Sequence, residues 1–315
     1  MKFFDTFSGI GGFSLPLTEL GHECIGFSEI DKFASQVYLS HFPSHHPYGD
    51  ITKLDAATLP DFDLLVGGFP CQAFSVAGKR RGFLDTRGTL FFDLCRIAKE
   101  KRPRLLLFEN VKGLLNHAGG ETFRVIVSAL DELGYDLQWQ VLNSRYFGVP
   151  QNRERVFIVG HLRGTPRPEV FPLRDGNCEN RQEDSQQTDG LYAGTLRLKN
   201  QAGPCLFDSG TALATYPAPT VNRPSVAVYD DYNGNIRKDG LTGTLTPNTG
   251  SAATRNGQKV ILDNISIRRF TPVECERLQG FHDGWTAGVS DTQRYKCLGN
   301  AVTVNVVREI VKQLV

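Results

Sequence analysis

The chain has 315 residues, 40% of them hydrophobic with only two Trp and one Met, enough for one large domain or two modest ones with well-buried cores, which excludes disorder as the main state. Its 35 Lys and Arg against 34 Asp and Glu leave a formal net charge of +1. No global cationic field therefore marks nucleic acid or an anionic membrane as partner, and composition by itself argues mildly against a DNA binder.

From Lys2 to Gly160 short apolar runs alternate with amphipathic stretches, as in βαβ units whose strands are covered on both faces. Strands are predicted at Lys2–Phe7, Cys24–Ser28, Leu64–Gly67, Leu105–Glu109, Leu137–Leu142 and Val156–Gly160. Leu90, Phe91, Leu94, Ile97 and Ala98 fall on one helical face before Pro103, and Phe123, Ile126, Val127, Leu130 and Leu133 line another that stops at Gly134. The fold class read from this is α/β, a doubly wound, Rossmann-like sheet of parallel strands whose ligands lie beyond the carboxyl ends of the strands. From Leu173 the texture changes. Arg174–Gly190 is polar, and a Gly-, Thr- and Pro-rich region runs to Asn264, with alternating pieces at Val226–Tyr229 and Lys259–Leu262 and Asn-Gly turns at Asn233–Gly234 and Asn256–Gly257. Small β-hairpins in a loop-rich insert are the expectation. After Ile265, Thr271-Pro272-Val273-Glu274 reads as an N-cap with proline at the first helical position, and Val302, Val306, Ile310 and Leu314 trace a closing amphipathic helix. Residues 1–170 and 265–315 are thus expected to form one discontinuous α/β domain around a smaller insert at 171–264. Seven cysteines without a C-x-x-C pair suit neither a disulfide framework nor a metal site. With no signal-like start and no run of about 18 apolar residues, a reducing, cytoplasmic setting is expected.

The chemistry-bearing residues gather at those strand ends. Asp5-Thr6-Phe7-Ser8-Gly9-Ile10-Gly11-Gly12-Phe13 makes a tight glycine turn into a helix, where a ligand can approach backbone N–H groups, although such a turn also serves plain strand-to-helix connection. Glu29 ends the second strand, where a carboxylate can take both ribose hydroxyls of a nucleoside-bearing cofactor. Gly49-Asp50-Ile51 offers a carboxylate and an apolar side chain suited to an adenine amino group and ring face. The third predicted strand to bear chemistry runs into Gly68-Phe69-Pro70-Cys71-Gln72-Ala73-Phe74-Ser75. A random cysteine is more often a small buried apolar residue, but Cys71 follows a rigid proline at the mouth of the sheet. Glu109-Asn110-Val111 closes the next strand, and thiol plus carboxyl suggests covalent catalysis with acid assistance. Gln151-Asn152-Arg153-Glu154-Arg155 sets two arginines at alternate positions, able to hold an anion or a carbonyl edge, or simply to pair with Glu154.

Taken in order, these blocks, together with Arg269–Phe281 and Gly299-Asn300-Ala301-Val302, closely resemble those of the DNA (cytosine-5)-methyltransferases of bacterial and phage kind. The resemblance implies S-adenosylmethionine as cofactor, double-stranded DNA as partner, no metal, a monomer, a target recognition domain in the variable middle, and a cognate restriction endonuclease as genetic partner. It makes Cys71 the nucleophile at carbon 6 of a flipped-out cytosine, Glu109 the acid at ring nitrogen 3, and Arg155 the holder of the base carbonyl. Arg153 supports the site or a nearby phosphate, and Asn110 fixes the Pro70–Cys71 turn. On the cofactor side, Phe7 packs on the adenine, while Asp5, Ser8, Gly9, Gly11 and Gly12 form the turn. Glu29 binds ribose, Asp50 and Ile51 the adenine edge, and Asn300 with Val302 completes the pocket. Ile30 stands where the family often has an aromatic residue, and Cys297 where many members have Gln. The loop Gln72–Gly88, carrying Ser75, Lys79, Arg80 and Arg81, is expected to close over DNA. Arg197, Arg223, Arg237 and Arg255 are candidates for reading guanine. The recognition domain's Thr-Leu or Thr-Val pair is Thr195–Leu196, Thr220–Val221 or Thr244–Leu245. Two rivals are a tRNA cytosine-5 methyltransferase, against which the long insert weighs, and a non-catalytic relative, against which intact Cys71, Glu109 and Arg155 weigh.

Overall fold

The computed structural model describes residues 1–70, 90–173, 193–196, 227–230, 235–237, 241–245, 258–262 and 266–314. Each apolar run becomes a strand: β1 (Lys2–Thr6), β2 (Glu23–Ser28), β3 (Leu64–Gly68), β4 (Leu105–Val111), β5 (Tyr135–Asn143) and β6 (Glu154–Leu162). With β7 (Ala193–Leu196) they form, among the described residues, a seven-stranded sheet in the order β2-β1-β3-β4-β6-β5-β7. β2, β1, β3 and β4 run parallel, whereas β6 is antiparallel to both β4 and β5. The all-parallel sheet expected from sequence is thereby corrected to a mixed one. The chain passes from Asn143 to Glu154 through one short 3-10 turn at Ser144–Tyr146, and parallel neighbours need a crossover of about a dozen residues or more.

Helices α1 (Ser14–Glu19), α2 (Lys32–His41), α3 (Leu90–Lys101) and α4 (Glu121–Glu132) are followed by α5 (Pro272–Gln279), α6 (Asp291–Asn300) and α7 (Val304–Lys312). Strand alternation deals the apolar residues to two layers. Phe4, Leu65, Leu106 and Ile158 pack with Phe91, Leu94 and Ile97 of α3 and with Ile126 and Leu130 of α4. Their strand neighbours Phe3, Leu64, Leu107 and Val159 pack on the other face with Leu17 of α1 and Val306, Val307, Ile310 and Val311 of α7. α5 opens with the expected signal, a capping box between Thr271 and Glu274 with proline in the first turn. The closing helix begins at Val304, two residues later than its apolar pattern implies.

In the middle region β8 (Ala227–Asp230), β9 (Asn235–Arg237), β10 (Gln258–Leu262) and β11 (Ser266–Arg269) make a separate antiparallel sheet in the order β11-β10-β8-β9. β8 and β9 pair on either side of the expected Asn233–Gly234 turn, which lies outside the described residues. β7 adds to the edge of the larger sheet at β5, and Phe171 and Leu173 pack into its core. The interval 171–264 therefore gives material to both sheets. No helix among the described residues is long and apolar enough to cross a membrane.

Candidate active site

The carboxyl ends of β1 to β4 and the amino end of β6 share one edge of the sheet, because Val111 of β4 pairs with Arg155 of β6. A cavity of about 530 Å³ opens there, lined at one end by Phe7, Gly9, Glu29 and Asp31 and at the other by Pro70, Glu109, Asn110, Arg153 and Arg155. Thr244, Leu245, Lys296, Cys297, Gly299 and Asn300 complete its wall.

The glycine turn bends sharply, with Phe7 at φ 50° and Gly9 at φ 54°, a region that favours glycine and strains Phe7. The Gly9 N–H donates to Glu29 Oε2 at 2.8 Å and the Asp31 N–H to Glu29 Oε1 at 2.7 Å. Each carboxylate oxygen keeps a further lone pair for a ligand. Burial pushes the Glu29 carboxyl up, opposed by those N–H groups. Asp31, overlooked in the sequence although it stands as an N-cap before α2, accepts from the Phe33 and Ala34 N–H groups and meets Lys296 Nζ at 2.6 Å. Beneath the turn Asp5 is wholly buried. Ser14 Oγ donates to its Oδ2 at 2.6 Å and also lies 2.6 Å from the Tyr38 hydroxyl, which reaches His45 Nδ1 at 3.0 Å. Burial pushes the Asp5 carboxyl up to about 7. Asp5 Oδ1 and Ser8 Oγ are buried with no hydrogen-bond partner among the described residues.

On the opposite side, Asn110 Nδ2 donates to the Phe69 carbonyl at 2.8 Å while its Oδ1 accepts from the Val111 N–H at 2.8 Å, which fixes the backbone entering Pro70. Cys71, Gln72, Ser75, Lys79, Arg80 and Arg81 lie outside the described residues. Arg155 Nε donates to Glu109 Oε1 at 2.9 Å, both side chains being largely buried. Burial pushes the Glu109 carboxyl up, with Arg155 and then Arg153 opposing. A side chain at Gly68 would put its Cβ 3.2 Å from Glu109 Oε2, so the glycine leaves that oxygen room.

Arg153 is different. It is 2% exposed, and it donates to the carbonyls of Leu245 at 3.0 Å, Ala301 at 2.8 Å and Gly299 at 3.3 Å. Burial pushes its guanidinium down to about 9. So enclosed, it fastens chain segments together, which fits the first of its two expected roles, support of the site, and not a phosphate contact. The Thr242 N–H donates to the Pro150 carbonyl at 3.0 Å, the Asn152 N–H to the Thr242 carbonyl at 2.8 Å, and Thr244 Oγ1 to the Asn152 carbonyl at 3.1 Å. Thr244–Leu245 is thus the Thr-Leu pair seated at the cavity; Thr195–Leu196 lies on β7, and Thr220–Val221 lies outside the described residues.

Several expected cofactor residues do not line the cavity: Asp5, Ser8, Gly11, Gly12, Ile30, Asp50, Ile51 and Val302. Gly12 serves packing instead, since a Cβ there would stand 2.7 Å from Val302 Cγ1. Ile30 is 78% exposed and Ile51 is buried in the core. Asp50 Oδ1 accepts from Thr52 N at 3.0 Å and Thr52 Oγ1 at 2.8 Å. Of the guanine-reading candidates, Arg237 ends β9, and Arg197, Arg223 and Arg255 lie outside the described residues.

The family profile of C-5 cytosine-specific DNA methylases matches residues 1–315. The chain is 39% identical to the type II methyltransferase M1.ScrFI of Lactococcus lactis subsp. cremoris, covering 99% of itself and 77% of that protein. It is 34% identical to the type II methyltransferase M.HhaI of Haemophilus parahaemolyticus, covering 98% of itself and 93% of that protein. The crystal structure of the S. pombe Dnmt2 methyltransferase shares the fold, with a TM-score of 0.67 at 20% identity, over 100% of this chain and 98% of that one. These matches overturn the mild compositional argument against DNA.

Proposed function

The chain belongs to the C-5 cytosine-specific DNA methylases and is a DNA (cytosine-5)-methyltransferase, and from that premise we propose that it takes its methyl group from S-adenosylmethionine and passes it to a cytosine flipped out of the duplex and held covalently by Cys71. The observation that carries this reading is the Glu109–Arg155 pair beside Pro70, in a cavity whose other end presents Glu29 and the glycine turn.

The residues present fit the cofactor. Glu29 has acceptor capacity for ribose hydroxyls, and Ser8 Oγ and Asp5 Oδ1, buried with no partner among the described residues, stand at the turn. Bound there, S-adenosylmethionine supplies an electrophilic methyl group. Of the lining residues Phe7 would pack on the adenine and Asn300 would help complete the pocket, while Asp50 and Ile51, which stand outside the lining, would have to reach the adenine edge from behind it.

Carbon 5 of cytosine is a poor nucleophile on its own. The Cys71 thiolate bonds to carbon 6 and pushes the 5,6 double-bond electrons onto carbon 5. Glu109, whose carboxyl burial pushes up against the opposing pull of Arg155 and Arg153, protonates or hydrogen-bonds ring nitrogen 3 and so relieves the charge that addition builds, while Arg155 donates to the base carbonyl oxygen. Once carbon 5 is methylated, loss of its proton and departure of Cys71 restore the aromatic ring. Extruding the base costs about a few kcal/mol, offset by contacts from the loop with Lys79, Arg80 and Arg81. Residues 1–170 and 265–315 do the chemistry, and 171–264 reads the sequence. The chain works as a monomer, beside a cognate restriction endonuclease where the host carries one.

The test is covalent trapping. The full chain with S-adenosylmethionine and DNA bearing 5-fluorocytosine should give a denaturation-resistant adduct that Cys71→Ala abolishes while keeping sequence-specific DNA binding. Methylation of tRNA with no adduct on any DNA would sink the reading.

A further inference from the structure

The turn that carries Asp50 is shaped by a residue far from it in sequence. Arg96 of α3 donates from Nη1 to the Leu54 carbonyl at 2.6 Å and from Nη2 to the Ile51 carbonyl at 2.7 Å. Asp93, one turn earlier on the same helix, accepts from Nη2 at 3.1 Å and sets the plane of the guanidinium. Ile51 and Leu54 pack in the same core as Phe91, Leu94 and Cys95 of α3. At the other end of the turn Ser28 Oγ donates to the Gly49 carbonyl at 2.6 Å. Within it, the Lys53 N–H closes on the Asp50 carbonyl at 3.0 Å. The Thr52 hydrogen bonds hold the Asp50 carboxyl below the usual carboxylate range, and therefore ionised. A planar guanidinium holds two carbonyls at a fixed separation in a way that a single ammonium cannot.

We infer that Arg96 is a positioning residue for cofactor selectivity: by tying the carbonyls of Ile51 and Leu54 to α3 it aims the Asp50 carboxylate, so that the site prefers adenine over hypoxanthine. The inference rests on Asp50 as the adenine contact. Position 6 of adenine carries an amino donor, whereas hypoxanthine carries a carbonyl oxygen there, which sets acceptor against acceptor. A carboxylate held in place discriminates between them. One on a loose turn swings aside and does not.

Titration calorimetry of the full chain with S-adenosylhomocysteine and with S-inosylhomocysteine reads this directly. The unaltered protein should bind the adenosyl compound roughly tenfold or more tighter, as for one hydrogen bond to a charged group, and Asp50→Asn and Arg96→Met should each cut that preference to about threefold or less. Both ligands are titrated into one preparation, so the folded fraction cancels from the ratio. Arg96→Lys, reaching one carbonyl only, should give an intermediate ratio and carries the test if Arg96→Met does not fold. Full preference retained in Arg96→Met, or in Arg96→Lys where only that folds, overturns the positioning role and leaves Arg96 a structural tie. No preference in the unaltered protein, with Asp50→Asn no different, overturns the adenine contact itself and the inference with it.

Discussion

Arg153 and Arg155 stand two positions apart and answer to different partners. Arg155 pairs with a carboxylate at the cavity, and Arg153 with three backbone carbonyls. Arg155→Met should abolish methylation while S-adenosylhomocysteine still binds. Arg153→Met should instead lower the free energy of unfolding, by about 2 kcal/mol or more in urea titration, because buried carbonyls left without donors cost about 1–3 kcal/mol each and, among the described residues, only that of Ala301 keeps a second donor, Gln279 Nε2 at 3.4 Å. Equal stability of the two variants would contradict the assignment. The sequence motif displays both arginines alike; only the long-range carbonyls separate them. Glu109 and Glu29 stood out at strand ends and do line the cavity, whereas the contacts of Lys296 with Asp31 and of Arg96 with Ile51 carried no sequence signal. Asp5 makes a second prediction. Its carboxyl titrates near 3.8 when unfolded and near 7 when folded, so the folded chain binds the extra proton between those values. The stability it contributes is complete below about pH 4 and is lost as pH rises through about 7. Asp5→Asn, which keeps an acceptor for Ser14, should remove that share of the pH slope in denaturant titrations, and an unchanged slope would place the proton on another group.

At the level of elements, strand positions were legible because buried strands read as apolar runs, but their directions were not. The reversal of β6 follows from the short path between Asn143 and Glu154, a length that pattern alone does not weigh against topology. That reversal brings Arg155 opposite Val111 and next to Glu109. The seam between the α1 turn and the start of α7 gives another prediction. A Cβ at Gly12 would meet Val302 Cγ1 at 2.7 Å and the Val302 carbonyl at 3.1 Å. Gly12→Ala should therefore cost about 1–3 kcal/mol, as overpacking does, and raise the KM for the cofactor more than it lowers kcat. A variant as stable as the parent would show that the seam can open without strain.

Seen as a whole molecule, the cavity is assembled from three stretches of chain: the strand ends up to Arg155, the short piece at Thr244–Leu245, and α6. The return of helical texture after Ile265 made the helices α5 to α7 legible, but Arg153, which ties all three stretches together, was invisible to periodicity. Net charge misled for a related reason. Its sum is +1, yet binding depends on where the charges stand. A ligand that bridges the walls should hold the molecule together. S-adenosylhomocysteine at about a hundred times its Kd should add about 2.7 kcal/mol to the unfolding free energy, read as a rise of a few degrees in Tm. No shift at that concentration would mean that the ligand does not bind the folded chain in preference to the unfolded one.

Lys296, Cys297, Gly299 and Asn300, which close the cavity, leave the ribosome long after Glu109 and Arg155 have done so. At about 5–20 residues per second, roughly 7 to 30 seconds separate the emergence of Arg155 from that of Asn300. During that interval the nascent chain displays Glu109 and Arg155 but lacks one wall of the cavity. The cavity can therefore close only in chains whose synthesis has passed α6.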